Sequence, residues 1–170
     1  NINVGRRFIS LNSNYKYFTS YESKTYNTFF SNEYIDKLNS PTEKTKFIME
    51  FVFEDMSRTV FERKVLNGRI RGSFCLIIAS RNKIRDETFI DFEKNNRNIN
   101  QVYSEIWLSK EIKDHKISKE ENLRGGDKKF YSCLYLEYTN SNDAMRLVDK
   151  ANRNFNEAEI GAYQLISTLT

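Results

Sequence analysis

The side chains that most often do chemistry are scarce in this chain. It has one histidine, His115, and two cysteines, Cys75 and Cys133. That falls short of the tetrahedral Cys/His set a structural zinc site uses, so no metal is expected. The same shortage argues against Ser-His-Asp and Cys-His nucleophilic catalysis. No G-x-x-x-x-G-K-[ST] phosphate loop and no G-x-G-x-x-G fingerprint occurs. The neighbouring carboxylates Glu120 and Glu121 lie in a charged stretch, which suits a solvated surface better than acid-base work. No catalytic residue and no cofactor is expected, and the chain reads as non-enzymatic. Cys75 and Cys133 sit inside apolar runs, as buried reduced thiols do in intracellular proteins.

Charge is more informative. Lys and Arg number 27 against 23 Asp and Glu, for a net charge of +4. The cations gather in three places: Arg6 and Arg7; Arg81, Lys83 and Arg85; and Lys116, Lys119, Arg124, Lys128 and Lys129. Acidic residues are interleaved among them, including Asp86, Glu87, Glu120, Glu121 and Asp127. With 39% hydrophobic and 29% charged residues the composition is that of a folded chain. A length of 170 residues allows one ordinary domain or two small ones. A single Pro and six Gly leave no flexible linker. The longest apolar run, Phe74 to Ala79, is far below the roughly 20 residues of a membrane span. No membrane partner is expected and no signal peptide is visible. The sequence starts at Asn1, as an excised piece of a longer protein would.

The elements that must position these residues follow from periodicity. Arg6 to Leu11 reads as a strand. Thr19 to Phe30 could be a helix, with Tyr21, Thr25 and Phe29 on one face. Glu33 to Leu38 could be a strand, and Asn39-Ser40-Pro41 a turn. Lys46 to Glu54 fits a strand, although Ile48, Val52 and Met56 also have helical spacing. A helix then runs to Leu66 and stops at Asn67-Gly68. Gly72 to Ser80 is a clear strand. In the second half, Thr88 to Phe92 reads as a strand. Ile99, Val102, Tyr103, Ile106 and Trp107 follow at the spacing of one helical face. Ile112 to Ser118 can be an edge strand, and Ser118 to Lys129 a loop hinged at Gly125-Gly126. Phe130 to Tyr138 is a strand, a helix capped by Asn140 or Ser141 follows, and Ala162 to Leu169 closes the chain.

The expected fold class is therefore α+β. Two units, over residues 1–81 and 86–170, each run strand-helix-strand-strand-helix-strand. Each would be a ferredoxin-like domain with its helices on one face of a four-stranded antiparallel sheet and the other face open. A second register also fits. It starts a single such unit at Gly72–Ser80, with Asp86 to Asn96 as its first helix, Gln101 to Leu108 as a strand, and residues 1–70 as an extension. The helical spacing of Ile99 to Trp107 favours the two-unit register.

The motifs resemble those of the RNA recognition motif family, as two degenerate copies in tandem. Tyr135-Leu136-Glu137-Tyr138, running into Thr139 to Ala144, is similar to the end of the family's octamer strand and its second helix. Lys110 to Ser118 falls where the second strand should be. Phe51 to Asp55 is similar to an octamer end in the first half, and Leu66-Asn67-Gly68 with Gly72 and Leu76 to a helix exit and last strand. The resemblance implies single-stranded RNA as partner, with bases stacked on strand aromatics. Octamer positions 1, 3 and 5 fall on Tyr131, Cys133 and Tyr135, and the hexamer aromatic on Phe89. In the first half the hexamer aromatic is Phe8, while the octamer positions are Ile48 and Glu50, which cannot stack bases. Arg81, Lys83 and Arg85 between the halves, and Arg124, Lys128 and Lys129 around the long loop, would contact phosphates. An alternative function is a protein-protein interaction module built on such folds within a larger ribonucleoprotein assembly. For every aromatic named, core packing is the competing role.

Overall fold

The computed structural model describes residues 2–110 and 117–170. The most apolar segments set its centre. Strand β4, Phe74–Ser80, and strand β6, Ser132–Tyr138, pair antiparallel with Leu76 opposite Leu136 and Ile78 opposite Leu134. Both are buried along nearly their whole length. A strand covered on both faces carries apolar residues on both parities, so it reads as a continuous run rather than an alternation. β7, Ala158–Leu169, pairs with the other side of β4, and β5, Gln101–Ser109, with the other side of β6. The helices α3, Asp86–Asn96, and α5, Ser141–Asn154, link these four strands in the order β4-α3-β5-β6-α5-β7.

The sheet does not end there. β1, Ile2–Ser10, pairs with β7, and β2, Tyr17–Ser23, with β1, while β3, Phe61–Asn67, pairs with β5. The result is one antiparallel sheet of seven strands, ordered β2-β1-β7-β4-β6-β5-β3. This corrects the expected fold class: there are not two four-stranded ferredoxin-like sheets. Among the described residues the strand-helix-strand-strand-helix-strand order occurs once, from Phe74 to Leu169, in the elements of the second register, with a short helix at Lys119–Leu123 inserted between its second and third strands. The hairpin β1–β2 and the strand β3 widen the sheet on either side.

The sheet is also curled into a half-barrel. Its two edges meet through side chains: Glu22 of β2 accepts from Arg63 of β3 at 2.7 Å, and Phe18 of β2 lies 6.0 Å from Trp107 of β5. Outside this curl a helical lobe is built from a 3-10 turn at Tyr26–Phe30, α1 (Asn32–Asn39), α2 (Glu43–Phe51) and α4 (Lys119–Leu123). The α helices of the lobe start on hydroxyl caps. The side chains of Ser31, Thr42 and Ser118 accept from the backbone N–H of Tyr34, Thr45 and Glu121.

Several elements differ from expectation for identifiable reasons. Ile99 to Trp107 is not a helix. Strand β5 points Ile106 and Leu108 to the helices and Tyr103 and Trp107 to the other face, and two buried faces together imitate helical spacing. Thr88 to Phe92 belongs to α3, where Phe89 and Phe92 both pack on Phe155. Glu33 to Leu38 is helical, as is most of Lys46 to Glu54. Thr19 to Phe30 splits into β2 and the 3-10 turn. Residues 61–67, rich in helix formers, become β3 because they complete the ladder of β5. Ser118 to Lys129 is not all loop, since α4 lies in it. The edge strand expected over Ile112 to Ser118 lies, except for Ile117 and Ser118, outside the described residues, and so does His115. Gly68 is required at the turn after β3: its φ is +88°, and a Cβ there would lie 2.0 Å from the Val102 carbonyl.

Candidate functional site

Three places concentrate the residues that sequence reasoning singled out, or should have. The first is the sheet face that carries no helix. Alternation along β1, β5 and β6 turns Phe8, Tyr103, Trp107, Cys133 and Tyr135 onto it. This face is filled, not open. Tyr135 is only 1% exposed and Phe8 is wholly buried. Trp107 stacks on Tyr135 at 4.8 Å and 18°. Phe18 plugs the middle, 5.3 Å from Phe8, 6.3 Å from Tyr135 and 5.8 Å from Tyr163. The rings expected to receive bases are occupied by rings of the same chain. Phe89 is not on this face at all. It is fully buried in α3, on the opposite side of the sheet.

Beside these rings lies a buried ionic network that the sequence reading missed. Glu137, on β6, is fully buried and pairs with Arg6 of β1 and, at 2.9 Å, with Arg71. It also accepts from the Tyr135 hydroxyl at 2.6 Å and from the backbone N–H of Gly72. Arg6 donates back to the Gly72 carbonyl at 2.9 Å. A side chain at position 72 would be 2.5 Å from the Tyr138 carbonyl, so only glycine brings this backbone in. Glu105, also fully buried, accepts from the Tyr103 hydroxyl at 2.8 Å and faces Arg63 at 3.7 Å. Glu22 joins Arg63 to Arg71, and the Arg71 guanidinium lies 4.2 Å from the centre of the Tyr103 ring. Three arginines thus meet three glutamates. Burial opposes the charge on Arg71, and Glu137, Tyr135 and Glu105 outweigh it, so its pKa is raised.

No reactive group is poised here. Burial, then the charge of Glu105, raises the Tyr103 hydroxyl to about 12. Burial holds the Cys75 and Cys133 thiols and the Tyr135 hydroxyl well above their ordinary values. A nucleophilic thiolate needs the opposite shift. Among the described residues no group of three or more His, Cys, Asp or Glu could hold a metal ion. Among the described residues no helix is long and apolar enough to cross a membrane.

The second place is the end of the sheet where β4 finishes and β6 begins. The Tyr131 N–H bonds to the Ser80 carbonyl at 2.7 Å, and the Ile84 N–H to the Ser132 hydroxyl at 3.3 Å. This brings exposed Arg81, Lys83 and Arg85 to the same end as Tyr131, which is 46% exposed. Arg81 is balanced, lying 5.4 Å from the Phe130 ring and 3.7 Å from Glu159. The loop cations are engaged within the fold. The Arg124 side chain is buried and grips Asp127 with two bonds of 2.8 and 2.7 Å, Lys129 reaches the same carboxylate at 3.2 Å, and Lys128 meets Asp55 at 3.6 Å. Burial raises the pKa of Asp127, and Arg124 and then Lys129 more than reverse that, leaving it below the ordinary 3.8.

The third place is α2 and the two residues that follow it, where Phe47, Phe51, Val52 and Phe53 are all exposed.

Comparison with protein-family models, with curated proteins and with solved structures found no match to this chain. None of these comparisons tests the resemblance to the RNA recognition motif family.

Proposed function

We propose that this chain is a non-catalytic protein-interaction module. The observation that carries the reading is the plugging of the helix-free face. Phe18 and Trp107 cover Tyr135, and the Arg6–Arg71–Glu137 network fills the space beside it, so a base has no ring to stack on within that face. The surface keeps only modest positive charge, while large apolar side chains cluster on the helical lobe. Buried, free Cys75 and Cys133 fit an intracellular setting, and a larger ribonucleoprotein assembly is one place such a module would serve.

A second reading is favoured by one arrangement, the meeting of Tyr131 with Arg81, Lys83 and Arg85 at one sheet end. It confines single-stranded RNA contact to that end. Two measurements separate the readings. Fluorescence anisotropy against short random single-stranded RNA is run at two salt concentrations. Binding that weakens steeply with salt, and is abolished when Arg81, Lys83 and Arg85 are all changed to Ala, would overturn the protein reading. In parallel, a photoreactive phenylalanine analogue is placed singly at Tyr17, Phe51, Ile70 and Tyr131 in the native host. The expected result is a discrete protein adduct at one of them and no RNA adduct.

A further inference from the structure

α2 has two unlike flanks. One turns Met49 inward, with its sulfur 4.0 Å from the Arg124 guanidinium. The other carries Phe47 and Phe51, one turn apart, with ring centres separated by 5.4 Å. These two are 59% and 72% exposed, and Val52 and Phe53 continue the apolar surface. Scattered exposed apolar side chains are ordinary; four within the seven residues 47–53 are a concentration. The stretch is also held in place. The N–H groups of Val52 and Phe53 both bond to the Ile48 carbonyl, at 3.1 and 3.0 Å. The chain then turns at Asp55, a non-glycine residue with φ of +51°, whose carboxylate meets Lys128.

Charge says what fits this ledge. Residues 47–55 include Glu50, Glu54 and Asp55, all exposed, and no cation; of the bordering cations, Lys46 is paired with Glu43 and Lys128 with Asp55, which leaves Glu50 and Glu54 as the acidic face. A second copy would bring acid against acid, and an anionic membrane would repel the same carboxylates. A partner with Lys or Arg beside an apolar stripe is attracted. The one-turn stride from Phe47 to Phe51 matches the spacing of side chains along one face of a helix.

We propose that Phe47, Phe51, Val52 and Phe53 dock a basic amphipathic helix of a partner protein, with its cations over Glu50 and Glu54. This rests on the protein-interaction reading and assigns that reading a surface.

The test uses the full chain and a fluorescent Leu/Lys amphipathic peptide of about five turns. A Leu/Glu peptide with the same apolar pattern, and phosphatidylserine and phosphatidylcholine vesicles, serve as competitors. The Leu/Lys peptide should bind and the Leu/Glu peptide should not. Phe51→Ser should weaken binding about tenfold or more. Glu50→Lys with Glu54→Lys should reverse the preference between the peptides. All three positions are exposed, so unfolding midpoints should stay unchanged. Equal binding of both peptides, indifference to Phe51→Ser, association with vesicles, or a dimer lost in Phe51→Ser would each overturn the proposal. If the peptide fails while crosslinks form at Tyr17, Ile70 or Tyr131, the ledge is removed and the interaction reading stands. If no position crosslinks, both fall.

Discussion

On one face of the sheet, α3 and α5 bring Phe89, Phe92, Val148 and Phe155 onto Leu76, Ile78, Leu134 and Leu136. On the other no helix of the described residues arrives, and the sheet covers itself by bending β2 over towards β5 and β3. The first closure is mostly apolar contact between added elements, with the buried carboxylate of Glu93 held by Arg97 at its margin. The second is made of rings and of ions that need one another. Apolar contact is graded and forgiving, since a smaller side chain costs area and a cavity. A buried ion pair is not, because removing one partner strands the other in a low-dielectric interior. One sheet thus has one face that tolerates repacking and one that specifies its own curvature.

The largest test of that contrast is Glu137→Ala. It leaves Arg6 and Arg71 without their shared carboxylate and should cost about 3–5 kcal/mol in urea unfolding. Replacing Arg6, Arg71 and Glu137 together by apolar residues should recover most of the loss, and failure to recover would mean that packing rather than charge is at stake. Next comes Phe18→Ala. The plug touches Phe8, Trp107, Tyr135 and Tyr163 from an edge strand, so a loss of roughly 1–3 kcal/mol is expected. Trp107 is the sole tryptophan, so its emission should shift to the red, whereas Val148→Ala on the helix face should leave the spectrum unchanged. Smaller still is Asn140→Ala at the start of α5, which removes a cap accepted from the Asp143 N–H and should cost about 1 kcal/mol.

The smallest effect is set by acid. Asp127 titrates below its ordinary 3.8 in the folded chain because Arg124 and Lys129 hold it ionised against the cost of burial. A depressed folded value stabilises fully above the unfolded value and is lost as pH falls through the folded one. Stability of the 118–129 segment should therefore be flat above about pH 5 and decline below about pH 4. Asp127→Asn should flatten that decline without touching the fluorescence of Trp107.

How much of this could be read from residues alone depends on whether one face or two is buried. The strand over Phe130 to Tyr138 and the capped helix after it were legible, because a continuous apolar run next to Asn140-Ser141 has few other solutions. Strand β5 was not, because Tyr103, Ile106 and Trp107 serve two cores at once and so mimic a helix. β2 was legible in principle: Tyr17 to Ser23 alternates between exposed and half-buried positions, but its tyrosines drew attention away from the alternation. The ionic network had a faint signal in Glu137, a lone carboxylate within an apolar strand, and in Arg6 in the middle of β1. Pairing residues 131 positions apart is beyond local pattern. Glu33 to Leu38 turned helical through its Ser31 cap, a signal present and unread.

The seam between β2 and β3 is joined by Glu22 and its arginines, not by a backbone ladder. Its opening therefore need not melt the sheet. Hydrogen exchange would see this as two populations of amides. Those of β4 and β6, shielded on both sides, should exchange only with global unfolding, while those of β2 should exchange through a cheaper local peeling of the strand. Salt should speed the second population more than the first, because Arg63 and Arg71 reach the solvent at the seam.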